Sequence, residues 1–186
     1  MTTRRPAAAL PAIITGLAAG IAATLVMDQF LKLAASGQQQ VQRRQKLAEG
    51  ESEWAIAHEE ALEEDQAAHH EGSTEKVARK IAESAGRHLT EDSKKTAAQA
   101  VHYTFGTLVG VVYACTAELL PEATTGSGLA FGTALFLAAD EIAVPAFRLG
   151  PGPTQTPFSD QLEYWAAHVV YGVTLELGRS LLRRLF

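Results

Sequence analysis

Cysteine is nearly absent: Cys115 stands alone among 186 residues, which excludes an internal disulfide and any cluster of thiolate ligands. Catalytic signatures are missing too. No His-Glu-x-x-His zinc motif, phosphate-binding glycine loop or nucleophile elbow occurs, and no serine or threonine sits in a recognisable triad context. Nor is there an excess of basic charge. The 16 Lys and Arg are outnumbered by 21 Asp and Glu, for a formal net charge of -5, which argues against nucleic acid as a partner. The expectation is a chain that is not an enzyme, holds no cofactor and binds no nucleic acid.

Charge is also missing over long stretches, and these decide the class. The overall averages, 47% hydrophobic and 20% charged with a mean hydropathy of 0.00, are those of an ordinary soluble domain. Yet residues 36–95 carry 22 of the 37 charged side chains. Pro6 to Met27 and Thr96 to Ala117 are each 22 residues without a charge. As a helix each reaches about 33 Å, enough for the hydrocarbon core of a bilayer. Ala123 to Ala139 is uncharged for 17 residues before Asp140 and Glu141, and Tyr164 to Leu175 for 12. The last run alone would suit a buried soluble helix or an interfacial one, and a soluble four-helix bundle is the rival architecture. Arg4 and Arg5 before an apolar stretch resemble a secretion signal, but the run is long and no Ala-x-Ala site follows. A retained anchor is expected.

The apolar ends repeat each other. Gly16-Leu17-Ala18-Ala19-Gly20 precedes Asp28 by the same spacing that separates Gly128-Leu129-Ala130-Phe131-Gly132 from Asp140. His102-Tyr103-Thr104-Phe105-Gly106 then matches His168-Val169-Val170-Tyr171-Gly172. Chance likeness between Gly/Ala-rich helices is the bland alternative to a duplicated helix pair. The expected fold is all-α: four membrane helices at about 6–34, 92–119, 124–147 and 161–184, arranged as two similar hairpins. The chain divides into helix 1 (1–35), a charged helical insertion (36–95) and a three-helix membrane region (96–186).

Within the insertion, Gln38 to Leu47 continues the first helix out of the membrane until Gly50 breaks it. Ser73 is the expected N-cap of the helix carrying Val77 and Ile81, Gly86 ends that helix, and Thr90 starts the next. The segment is too poor in apolar residues for a core of its own, so it is expected to lie on the membrane surface or on a partner. Its most metal-like residues are His58, Asp65 and His69, the last two one turn apart. They lack the paired Glu-x-x-His pattern of carboxylate-bridged metal bundles, and a solvated acidic helix accounts for them.

Gly16 and Gly20, Gly106 and Gly110, and Gly128 and Gly132 form three Gly-x-x-x-Gly pairs. Lipid gives apolar helices no reason to associate, so close backbone approach must supply the packing energy, within the chain or onto another copy. His102, Gly106, Gly110, Tyr113 and Ala117 share one helix face, which should point into protein. Asp28, His102, Asp140 and His168 all fall near one membrane face in an up-down-up-down arrangement. They are the candidate proton-responsive or binding cluster, with Glu118, Glu141 and Glu176 as supporting acids. Interfacial capping and bonds to backbone carbonyls are the plainer roles for the same side chains.

The C-terminal half resembles the YagU-like inner-membrane proteins of bacteria, a family of unknown biochemical function. The likeness rests on His102 sixteen residues before Glu118, on Tyr113, and on the Ala117-Glu118-Leu119-Leu120-Pro121 corner. Gly128, Pro145 and His168 eight residues before Glu176, with basic residues after it, complete it. It covers Ala100 to Phe186; the charged middle segment departs from it. The resemblance implies a multispanning protein of the bacterial inner membrane with no assigned enzyme activity. Arg4, Arg5, Arg179, Arg183 and Arg184 nearly balance Arg43, Arg44, Lys46, Lys94 and Lys95 in setting orientation. The resemblance favours both termini in the cytoplasm and residues 36–95 outside.

Three functional classes follow. One is a non-enzymatic accessory or acid-stress membrane component, meeting a protein partner or another copy through its glycine faces and residues 36–95. Another is an oligomeric proton- or cation-linked channel or transporter using the Asp/His cluster. The third is a haem- or metal-binding bundle with His102 and His168 as ligands.

Overall fold

The computed structural model describes residues 9–185, with the side chains at 9 and 67–69 left aside. Arg4, Arg5 and the expected start of the first helix at residue 6 lie outside the described residues, as does the side chain of His69. Every regular element among the described residues is helical: α1 (Ala9–Ala48), α2 (Glu53–His69), α3 (Ser73–Ser84), α4 (Glu91–Leu119), α5 (Leu129–Ala146) and α6 (Phe158–Leu182). Short 3-10 turns cover Pro121–Thr124 and Arg183–Leu185.

Local chemistry sets most of these boundaries. Gly50 and Gly86 take φ of 91° and 68° after α1 and α3, a left-handed conformation that ends helices at little cost for glycine. Thr90 caps α4, its Oγ1 accepting from the Ser93 N–H at 3.4 Å. The expected cap at Ser73 is corrected: Gly72 is the N-cap, and its N–H donates to Glu75 Oε2 at 3.0 Å. The third apolar helix begins at Leu129 rather than 124, because Gly126, Ser127 and Gly128 all adopt positive φ and hold the chain in a turn.

Inside α5, residues Leu137–Ala143 widen into a π-helical segment. Pro145 follows directly. It has no N–H to give, and in a regular α-helix its ring would press on the carbonyl of residue 141; the wider turn ahead of it relieves that conflict.

α1 packs on both α4 and α6, and α5 packs on α6 while its Phe131 ring meets Tyr113 of α4. Residue pairs in contact across these interfaces run in opposite chain directions, so α1 is antiparallel to both neighbours. The distribution of side chains is inverted relative to a soluble bundle. The buried face of α1 is Ala12, Thr15, Gly16, Ala19, Gly20, Ala23, Thr24 and Met27, while Ile13, Ile14, Leu17, Ile21, Leu25 and Val26 point outward. On α4, Gly106, Gly110, Tyr113, Ala114 and Ala117 are buried, and Phe105, Leu108 and Val112 are exposed. A soluble bundle would put its large aliphatics inside. Small residues inside and large ones outside is the pattern of helices surrounded by lipid.

Among the described residues, three helices are long and apolar enough to cross a membrane: Leu10–Ala48, Glu91–Leu119 and Leu129–Ala146. α6, at 25 residues, has the length, but Glu163, His168, Glu176 and Arg179 lower its apolar content.

Outside this group, α2 is tied to the end of α1 by Arg43–Glu60 at 3.1 Å and Lys46–Glu59 at 2.6 Å. α3 packs on the first turns of α4. Arg79 bridges Glu71 at 2.8 Å and Glu83 at 3.0 Å. Its hydrogen bond, helped by its charge and opposed by partial burial, holds the Glu71 carboxyl below the usual carboxylate range.

The closest approach in the bundle is backbone to backbone. A Cβ at Gly110 would stand 2.6 Å from Gly16 O and 2.7 Å from Gly20 Cα, whereas one at Gly37 would meet nothing within 4 Å. Gly110→Ala is therefore expected to destabilise by about 2 kcal/mol through overpacking. Gly37→Ala, on an open stretch of the same α1, should stabilise by about 0.5–1 kcal/mol. Unfolding of the detergent-solubilised protein by SDS titration reads both; equal effects would remove the close approach as the source of stability.

Candidate functional site

Asp28 sits one turn after the buried Thr24 on the inward face of α1, and its carboxylate is only 16% exposed. α4 runs antiparallel and brings two consecutive residues to it. The Tyr103 hydroxyl donates to Asp28 Oδ2 at 2.8 Å, and His102 Nε2 stands 3.0 Å from Oδ1. His102 Nε2 is buried, and its N–H direction lies off the line to the carboxylate. The contact is thus an ion pair once the ring is protonated rather than an aligned hydrogen bond.

A second Asp–His contact lies across α5 and α6. His168 is buried, with Phe136 beside its ring at 5.8 Å between centroids. Its Nδ1 is 2.8 Å from Tyr164 O one turn earlier, and 3.6 Å from Asp140 Oδ2. In the neutral ring Nδ1–H donates to the carbonyl, and the carboxylate stands at the longer distance. Asp140 occupies the π segment of α5 and feels the charge of His102 as well as that of His168. The four residues therefore meet at one end of the bundle as two pairs within electrostatic reach. Glu141 follows Asp140 in the π segment and is half-buried.

Glu118 and Glu176, grouped with this cluster in the sequence, lie instead at the opposite end of the bundle in a separate ionic network. Arg179 holds Glu176 through Nε at 2.7 Å and a second nitrogen at 2.8 Å, and stands 3.7 Å from Glu118. Arg183 reaches Glu118 at 2.6 Å, and the fully buried Tyr113 donates to Glu176 at 2.9 Å. The signal was present: Glu176 and Arg179 are three apart on one helix, a spacing that lets side chains meet.

The glycines follow the same helix pairs. Gly110 is pressed against both Gly16 and Gly20, and Gly172 against both Gly128 and Gly132. In the sequence repeat Gly106, not Gly110, aligns with Gly172, so the contact register of one pair is shifted by a helical turn from the motif alignment. Gly106 meets Thr24 instead, and its carbonyl accepts from the Tyr171 hydroxyl at 2.6 Å.

In the acidic run, His58 stacks on Trp54 with ring centroids 5.4 Å apart and nearly parallel planes. Among the described residues, no three potential metal ligands converge there or elsewhere.

A family model described as Protein of unknown function (DUF1440) matches residues 77–177, just over half of the chain. The match begins within α3, so part of the charged segment expected to depart from the family lies inside it. No curated protein and no solved structure matches the chain.

Two substitutions test the geometry. Arg179→Met leaves Glu176 and Glu118 facing each other with little water and should cost about 3 kcal/mol or more. Arg179→Lys should recover only part of this, since an ammonium cannot make the two-nitrogen contact. At the other end, a double-mutant cycle between Tyr103→Phe and Asp28→Asn should return a coupling of about 1 kcal/mol. SDS unfolding curves measure both, and an additive cycle would dissolve the Tyr103–Asp28 contact.

Proposed function

Because the chain belongs to the DUF1440 family, to which no function is assigned, we propose a function from its own geometry: a non-enzymatic membrane component whose helix packing responds to acid. Four helices, α1, α4, α5 and α6, cross the membrane as two similar antiparallel pairs, α1 with α4 and α5 with α6. The membrane is the bacterial inner membrane, with both termini in the cytoplasm and residues 36–95 outside. α6 crosses despite its acids because Glu176 and Arg179 neutralise each other inside the bundle.

The observation that carries this function is the doubled Asp–His contact, Asp28 with His102 at 3.0 Å and Asp140 with His168 at 3.6 Å. Histidine is the side chain suited to gain charge under mild acid. Protonation converts each contact from a carboxylate beside a neutral ring into an ion pair in a medium of low dielectric, where it is stronger than in water. Each pair joins two helices, so acid draws α1 to α4 and α5 to α6 at the end that bears α2 and α3. A partner or a second copy held through residues 36–95 would read that change.

The same cluster supports a second reading, an oligomeric proton- or cation-linked channel. Its path would run between copies, because the interior of one copy is filled by Ala19, Ala23, Met27, Tyr113, Tyr171 and Leu175. The haem-bundle reading has less support, since His102 and His168 engage different ring nitrogens with Asp28 and with the Tyr164 carbonyl.

Hydrogen exchange of the protein in lipid nanodiscs, at neutral and mildly acidic pH, tests the main reading. Added protection is expected in α5 around residues 137–143 and in the first turns of α4 on acidification. The double variant Asp28→Asn, Asp140→Asn should lose this response. Unchanged exchange across that interval would reject the acid response, and pH-driven ion flux in proteoliposomes would favour the channel.

A further inference from the structure

The end of α5 breaks a local rule. Its last turn closes in a Schellman-type motif, with Arg148 N donating to Pro145 O at 3.0 Å and Leu149 N to Val144 O at 2.8 Å. The motif requires a left-handed residue at position 148, where glycine is the usual occupant. Here the residue is Arg148, at φ 55°, a conformation that costs any side chain bearing a Cβ. A strained position held by a large cation invites a functional account.

Beside it lies a groove of about 370 Å³, lined by Val77, Lys80, Ile81 and Ser84 of α3 and by Phe147 and Leu149. Ile81 and Phe147 are 58% and 68% exposed. Lys80 Nζ donates to Phe147 O at 3.1 Å, which fixes the ammonium at the rim and leaves it further donors. Arg79 on the same helix is taken up by Glu71 and Glu83, whereas Lys80 lines the groove and the exposed Arg148 stands in the chain between its lining residues Phe147 and Leu149.

We propose that this groove seats an anionic phospholipid of the surrounding bilayer, its phosphate between Lys80 and Arg148 and the upper part of its chains against Ile81, Phe147 and Leu149. Chain continuity fixes the occupant. Phe147 and Leu149 follow immediately on a helix long and apolar enough to cross the membrane, so they and the α3 face packed beside them lie at the level of the lipid headgroups. An exposed apolar floor with a cationic rim at that depth matches an amphiphile of negative charge. This rests on the membrane-spanning reading above, and not on the acid response.

The strained residue supplies the test. Arg148→Gly relieves the left-handed backbone, so it should fold at least as stably as the wild type while losing a phosphate contact. Lys80→Gln changes an exposed side chain and provides an independent variant. The full chain is first floated with vesicles of phosphatidylcholine alone and of phosphatidylcholine mixed with phosphatidylglycerol. Flotation with neither overturns the membrane reading itself. Phosphatidylglycerol is then titrated into the detergent-solubilised protein and bound lipid counted by native mass spectrometry, with phosphatidylcholine as the comparison. Preferential binding of phosphatidylglycerol is expected, weakened about fivefold by either substitution and about 25-fold by both. Equal binding of the two lipids, or a preference that survives both substitutions in folded protein, overturns the proposal and leaves the groove to a protein partner.

Discussion

The structure depends on how closely its backbones approach. Gly16, Gly20 and Gly110 on one side, and Gly128, Gly132 and Gly172 on the other, bring main chains together where no side chain fits. Water expels large apolar groups into a core and lets helices stand farther apart; lipid exerts no such force. What remains is dispersion between surfaces that fit, and the smallest residues give the closest fit. The outward Ile, Leu and Val of α1 and the outward Phe and Leu of α4 follow from the same constraint. Having no role in packing, they serve as the surface presented to the acyl chains.

A bundle held by weak, short-range forces gains definition from its polar ends. At one end Arg179 and Arg183 clamp Glu118 and Glu176, with the Tyr113 hydroxyl completing the set. Two guanidiniums and two carboxylates are matched there. At the other end the bases are imidazoles, and each Asp–His contact spans two helices. The two ends of the bundle thus differ in kind, a guanidinium clamp at one and Asp–His contacts at the other.

Much of this was legible in the sequence, and the rest was hidden for physical reasons. Charge-free runs located helices near their true bounds, Gly50 and Gly86 marked breaks, and Thr90 marked a start. Equal depth along antiparallel helices was enough to bring Asp28 toward His102. Spatial order was not legible: nothing in periodicity says that α1 packs on both α4 and α6 while α5 packs chiefly on α6, since every apolar helix here has small residues on one face. The contact register was not legible for a related reason. Gly106 and Gly110 are both small, so motif alignment cannot tell which glycine faces Gly16 and Gly20, whereas Thr24 beside Gly106 decides it in space. Residue type alone does not separate Glu118 and Glu176 from the Asp–His cluster; their depth does, which places them beside Arg179 and Arg183.

The departures from regular geometry gather at one place in the chain. Within a dozen residues α5 passes through the π segment around Asp140, the ring of Pro145 and the left-handed Arg148. A helix built only to cross a membrane has no use for any of these. Widening the helix at residues 137–143 alters the direction in which Asp140 leaves the axis, which bears on its contact with His168 across the interface. Pro145 makes the widening cheap, because it removes the hydrogen bond that a tighter turn would have formed. Arg148 then closes the helix where Lys80 of α3 reaches the Phe147 carbonyl. The acidic side chain in the bundle and the cationic rim at its surface are thus two ends of one short, irregular stretch of backbone.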